Sequence, residues 1–432
     1  MTATPPGTKS FAPQARFVVL SGKKKDKEKK GDDDVPLDAD MLSVSVTQVH
    51  SGVSQLSVTF NNQRNVGGRP VHPPWKYNAL DKLSFGQRVR VDFRYGDETW
   101  MPMIAARITD IDFSFPSSGG AKLTLKGEDY LSLLKRKDTK DKRYRKEQEL
   151  DIVAASKESA LKRSKCGLKL AKPLIKRTVF DDSLSTVMHQ KSQTYLQFIQ
   201  SLAERLDYEV FVDFKDPTDP KSDVEFHFEP ARSLQFKKYI ELTWGQNIIE
   251  FNPKFKVWEQ FTSAIARGRH PSSRRRIDEK VKADAIAADL HHVTGTTKPL
   301  NAIEAREKFF VNDAHKGENQ EPISVTNLDA KRAAEKAKAV LRKRAREFLT
   351  VESSTIGLMS LRPGTHINIR EMRAPFDGIY YVTKAVHSLD AGGYRTKFSL
   401  RRPGMLPPEG YLADNKKTAA KSASEKKKEP TP

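Results

Sequence analysis

The stretch PFDGIYYVTKAVHSLDAGGYRTKFSLRRPG, residues 375–404, decides the fold. On both sides of Asp390-Ala-Gly-Gly, apolar and aromatic residues recur at every second position. That period, broken by glycines that tolerate positive φ, predicts two antiparallel strands joined by a tight turn. Tyr394, Phe398 and Leu400 are expected to pack inward, while Arg395, Lys397 and Arg401 alternate outward. Arg402 and the upstream Trp244 complete the set of residues expected at an assembly interface. His387 and Asp390 raise a catalytic option, a histidine–carboxylate couple. No G-x-S-x-G nucleophile elbow accompanies them, which favours a surface or cross-strand histidine.

Upstream, residues 42–60 alternate in the same way: Leu42, Val44 and Val46, then, after Ser51-Gly52, Leu56, Val58 and Phe60. This predicts a half-buried hairpin. Strands follow at 87–96, 101–116 and 121–129, preceded by one at 15–22. So many strands in one region imply a closed barrel or a sandwich. Past residue 128 a basic segment runs to Arg177, with weak helical periodicity over 152–161. Leu196, Ile199, Leu202, Ala203 and Leu206 then mark one helical face, and strands follow at 208–214 and 223–230. Residues 239–268 return to β patterning, a polar stretch of little periodicity extends to about 327, and 329–349 forms a charged, alanine-rich helix with Asp329 as N-cap.

At 432 residues the chain exceeds one compact core, because domains run ~100–200 residues. Its formal charge of +21 favours acidic partners: nucleic acid, an anionic protein face or a membrane surface. The single cysteine, Cys166, excludes an intrachain disulfide and fits a reducing compartment. No apolar run approaches the ~20 residues of a membrane-spanning helix, and the N-terminus has no signal-peptide core, so a soluble protein made in the cytoplasm is expected. The charged run 23–34 and the lysine-rich residues beyond 403 read as unpacked segments.

Chemistry finds little footing. Neither phosphate-binding glycine pattern occurs. His291-His292 is the sole adjacent histidine pair, its side chains diverge, and solvated residues are favoured over metal ligands. No cofactor and no metal are expected. Glu225/Glu229 and Glu128/Asp129 are acidic pairs that a glycoside-cleaving enzyme would need, in a chain with 55 acids that offers many such pairs. The basic stretches 135–146 and 269–276 could contact phosphates, yet they carry few aromatics for base stacking.

Four stretches in order resemble the late control protein D family, the baseplate hub proteins of contractile phage tails and related injection systems. They are FGQRVRVDFRYGDETWMPMIAARITDIDFSFPSSGGAKLTLKGEDYLSLL (85–134), MHQKSQTYLQFIQSLAERLDYEVFV (188–212), LTWGQNIIEFNPKFK (242–256), and LRPGTHINI (361–369) followed by the hairpin at 375–404. The resemblance implies a mainly β chain with α+β insertions: two tube-protein-like β-barrels flanking an α+β domain, a pseudo-hexameric ring when three copies assemble. Boundaries would fall at 1–134, 135–238, 239–405 (split by a polar and helical insertion at 269–350) and a tail at 406–432. It also implies a non-enzymatic homotrimer joining the inner tail tube to a separate spike protein, alongside baseplate wedge proteins, within a virion or phage-tail-like particle. Arg395, Lys397 and Arg401 would then face either outward or toward a lumen that nucleic acid could traverse, with no membrane insertion. A peptidoglycan-cleaving tail-tip enzyme is the alternative, and a nucleic-acid-binding protein the third reading.

Overall fold

The computed structural model describes residues 12–20, 37–66, 69–80, 83–137, 141–145, 149–155, 158–171, 187–219, 221–230, 239–256, 259–270, 273–286, 320–325, 328–373 and 375–403. The charged run 23–34, His291-His292, parts of the basic segment (138–140, 146–148, 156–157 and 172–177) and the lysine-rich tail lie outside them. In chain order the first strands are β1 (Pro13–Leu20), β2 (Met41–Val49), β3 (Gln55–Asn61), β4 (Gln63–Val66), β5 (Arg69–Trp75), β6 (Arg88–Tyr95), β7 (Met101–Ser114) and β8 (Lys122–Asp129). The middle holds β9 (Lys142–Arg145), α1 (Ala160–Ser164), β10 (Val187–Gln190), α2 (Tyr195–Leu206), β11 (Tyr208–Phe214) and β12 (Val224–Pro230). Then come β13 (Ile240–Thr243), β14 (Ile248–Phe255), β15 (Ser263–Arg269), β16 (Arg276–Lys282), β17 (Gln320–Val325), α3 (Ala330–Arg346), β18 (Leu349–Ile356), β19 (His366–Arg370), β20 (Gly378–Asp390) and β21 (Gly393–Arg402).

The fold is mostly β, dominated by a 12-stranded sheet in the order β1-β6-β7-β8-β3-β2-β20-β21-β18-β14, with β19 on β20 and β13 on β19. This order repeats itself. The run β6-β7-β8-β3-β2 has the same connectivity as β19-β20-β21-β18-β14, strand for strand in chain order. Local details repeat too. Leu83-Ser-Phe-Gly86-Gln87 and Leu361-Arg-Pro-Gly364-Thr365 precede equivalent strands, with both glycines at positive φ. Gly86 N donates to Ile108 O at 2.8 Å, and Gly364 N to Val382 O at 2.9 Å. Each long strand then bulges, between Ile108 and Asp110 and between Val382 and Lys384. At the bulge Thr109 Oγ1 donates to Lys126 O (3.3 Å) and Thr383 Oγ1 to Ser399 O (3.1 Å). The two halves meet inside the chain where β2 pairs antiparallel with β20, Val44 opposite Leu389 through Val49 opposite Lys384.

Bulges also re-aim side chains. Leu42, expected inward with Val44 and Val46, is 46% exposed. The register slips between Met41 and Ser43, so Leu42 is the extra residue and turns away from the core. Ile249 occupies the same place on β14, at a slip between Ile248 and Glu250, and is 44% exposed.

Separate apolar clusters hold each part. The first contains Val46, Val58, Phe60, Val91, Phe93 and Leu125, among others. A second joins α1, α2, β11 and β12 through residues such as Tyr144, Ile199, Leu202 and Phe226. A third, with Leu349, Ile367, Tyr380, Val382, Phe398 and Leu400, lies under the second strand array. The polar stretch expected to lack periodicity contributes β16 and β17, which flank β15 in a three-stranded sheet covered by α3. Ala264, Ile277, Val325, Ala333, Ala337 and Leu341 form its core. β16 and β17 were hidden in the sequence because each gives the core only two apolar residues, Ile277 with Val281 and Ile323 with Val325, among polar ones. This layer starts at Ser263, earlier than the expected insertion boundary at 269.

Candidate functional site

Neither His387–Asp390 nor Glu128–Asp129 converges. His387 is fully buried, bonded through Nδ1 to Tyr394 Oη (2.8 Å) and Thr396 Oγ1 (3.2 Å), while Asp390 is exposed and caps Gly392 N. An offset of three residues on a strand puts them on opposite faces. Burial, with the nearby Arg362 charge, pushes the His387 imidazole down to about 3, leaving it neutral at physiological pH. Glu128 and Asp129 also face opposite ways: Glu128 accepts from Lys135 Nζ at 2.6 Å, and Asp129 is buried and caps the turn at Tyr130. Glu229 faces His227 Nδ1 at 3.2 Å within β12. Of the basic stretches, Lys135 is bonded to Glu128 and Lys142 to Glu158, and Arg276 pairs with Asp278 at 3.0 Å. Among the described residues no group of three or more metal-ligating side chains gathers, and no helix is long and apolar enough to cross a membrane.

The expected interface residues divide into two sets. Arg395 and Lys397 are exposed on β21, and Trp244 is 44% exposed beside β14. Tyr394, Arg401 and Arg402 are internal in the single chain; Arg401, expected to alternate outward, is instead turned into the fold. Tyr394 packs inward, but into the first cluster, against Phe93 at 5.2 Å between ring centroids, and not into the second half. The reason is the β2–β20 joint, which carries the tip of the β20–β21 hairpin over to the first half. Arg402 is 2% exposed, donates to Asp377 O at 2.7 Å and to Pro375 O, and stacks over Tyr380.

Arg401 belongs to a buried polar junction that tethers the middle region to the sheet. Its Nη2 donates to Glu209 Oε1 at 2.7 Å, Tyr381 Oη donates to Glu209 Oε2 at 2.8 Å, and His50 Nδ1 lies against both Tyr381 Oη (2.7 Å) and Glu209. Burial alone would raise the Glu209 carboxyl, but the His50 and Arg401 charges outweigh it and hold the group below the usual carboxylate range. Next to it Arg346 of α3 bonds Asp207 at the end of α2. Gly52 N donates to Val210 O at 3.1 Å, so the β2–β3 turn also lands on β11. Four sequence-distant segments are thereby fixed together by charge-assisted hydrogen bonds. No sequence signal marked His50 or Glu209: His50 follows the end of β2, and Glu209 alternates away from the apolar run Tyr208, Val210, Val212 and Phe214 on β11.

Beside this junction lies a small cavity of about 40 Å³ bordered by Gln48, His50, Asp129, Phe211 and Arg362. It is far below the ~300 Å³ of a typical ligand pocket. Arg362 is buried, donating to Pro102 O at 2.6 Å with Asp213 at 3.8 Å, and burial lowers its guanidinium despite that carboxylate. Burial pushes Asp129 up to about 7, against hydrogen bonds from Ser54 N and Leu131 N. These groups hold elements together.

The repeated strand array has counterparts among proteins of known structure. A 43 kDa tail protein of prophage MuSo2 from Shewanella oneidensis superposes with TM-score 0.56 at 14% identity, over 91% of this chain and 99% of that one. A tail protein from Neisseria meningitidis MC58 superposes with TM-score 0.57 at 11% identity, over 92% and 98%. The chain has a phage tail-protein fold. No family model and no curated protein sequence matches it.

Proposed function

We propose that this chain is the structural hub of a contractile tail or injection system, a homotrimeric adaptor between a hexameric inner tube and a trimeric spike. The observation that carries the reading is the strand array repeated within one chain, on a fold shared over nearly full length with two tail proteins. Two tube-like units per chain, over residues 1–134 and 239–405, convert threefold into sixfold symmetry, the match that such an adaptor requires. The exposed Arg395, Lys397 and Trp244 are proposed contacts with tube or spike, and the basic excess serves docking to acidic faces of those rings. Glu128 and Asp129 face opposite ways, which favours the structural reading over the peptidoglycan-cleaving one. The test is reconstitution with the particle's own tube and spike proteins, followed by electron microscopy. A single ring of this chain between tube and spike is the expected result; binding to neither component would overturn the reading.

A further inference from the structure

The internal repeat leaves one joint of its kind unfilled. Inside the chain the last strand of the first array, β2, pairs with the outer half of β20. In the second array the strand equivalent to β2 is β14, which ends the sheet, and the strand equivalent to β20 is β7. Residues 88–93 of β6 cover β7 only as far as Arg107, so its outer half, from Asp110 on, has β8 on one side and, among the described residues, no strand on the other. We infer that β14 of one copy pairs antiparallel with the outer half of β7 in the next copy, repeating between chains the β2–β20 joint found within one. This rests on the proposed ring.

The register follows from the bulges. Placing Ile249 on Leu42 sets residues 251–256 on 44–49; placing Asp110 on Lys384 sets 110–115 on 384–389. The observed pairs Val44–Leu389 through Val49–Lys384 then translate into Phe251–Phe115, Asn252–Ser114, Pro253–Phe113, Lys254–Asp112, Phe255–Ile111 and Lys256–Asp110. The pairs sort by face without adjustment. One face sets Phe251, Pro253 and Phe255 against Phe115, Phe113 and Ile111; the other sets two lysines opposite two aspartates. Phe113, Phe115 and Phe255 are 36%, 50% and 37% exposed in the single chain, large apolar residues on these edges. Cross-strand aromatic and opposite-charge pairs are the contacts that stabilise an antiparallel ladder. Asp112 has an alternative partner in Lys126 at 2.7 Å, and Lys256 has Glu259 and Glu347 at 3.6 Å, all within their own chain. His50 N–H reaches Thr383 O across the internal joint, so Val46 also faces β20; Pro253 in its place has no amide, and the joint between chains makes one ladder bond fewer.

The equivalent internal pair, Ser45 and Ser388, brings its hydroxyls to 3.5 Å. Asn252→Cys with Ser114→Cys, on a Cys166→Ser background, should therefore oxidise to an intermolecular disulfide, giving dimers and trimers on a non-reducing gel. Lys254→Cys with Ser114→Cys, two residues out of register, should cross-link at least tenfold less. Trimers in native mass spectrometry without the first cross-link overturn this joint and leave the ring standing; a chain that stays monomeric at every concentration overturns both. A second measurement uses folded surface variants: Asp110→Lys with Asp112→Lys should abolish self-association, and adding Lys254→Asp with Lys256→Asp should restore it. Unchanged association in the first variant contradicts the pairing.

Discussion

At the scale of single residues, buried charge governs the joints. Glu209 holds His50, Tyr381 and Arg401 together at 6% exposure. Removing one partner from such a site leaves the others uncompensated, which typically costs ~3–5 kcal/mol. Glu209→Ala should lower stability by about that amount in urea denaturation, while Arg395→Ala, on the exposed side of β21, should change it by less than about 0.5 kcal/mol. Asp129 gives a pH signature. Its folded pKa of about 7 lies above the ordinary carboxyl value of 3.8, so its contribution is fully present below the unfolded pKa and lost as pH rises through about 7. Asp129→Asn removes that titration, and its stability relative to the wild-type protein should rise between pH 4 and pH 8; a constant difference across that window would contradict the assignment.

At the scale of elements, some of the structure was open to reading and some was not. α2 was legible because its apolar face is spaced helically and Thr194 and Gln197 form a capping box. Thr194→Ala should cost about 1 kcal/mol, read from the urea midpoint. The hairpin of β20 and β21 was legible from its alternation, yet its destination was not: period two says which residues are inside, and pairing decides inside what. Tyr394 went to the first cluster for that reason. Gly357 shows how tight that crossing is, since a Cβ there would lie 1.9 Å from the Tyr394 ring. Gly357→Ala should destabilise by ~1–3 kcal/mol through overpacking. Bulged residues such as Leu42 and Ile249 escape any pattern argument because one extra residue inverts the face without changing composition. Glu128–Asp129 and His387–Asp390 were chemically plausible in sequence, and strand geometry turned the members of each pair to opposite faces.

At the scale of the whole molecule, the sheet is one continuous object built from a doubled array; two β units were expected from the sequence, but their strand-for-strand equivalence was hidden because the halves share connectivity and hydrogen bonds more than residues. Gly86 and Gly364, with the threonines at the two bulges, are the visible traces of it. A chain that already contains two equivalent units needs three copies to make six. Native mass spectrometry of the purified protein tests this most directly. The account predicts a dominant species at three times the 48.8 kDa chain mass, dissociating with rising salt as the lysine–aspartate contacts weaken. A monomer at all concentrations, or a closed assembly whose copy number is not three, would contradict it.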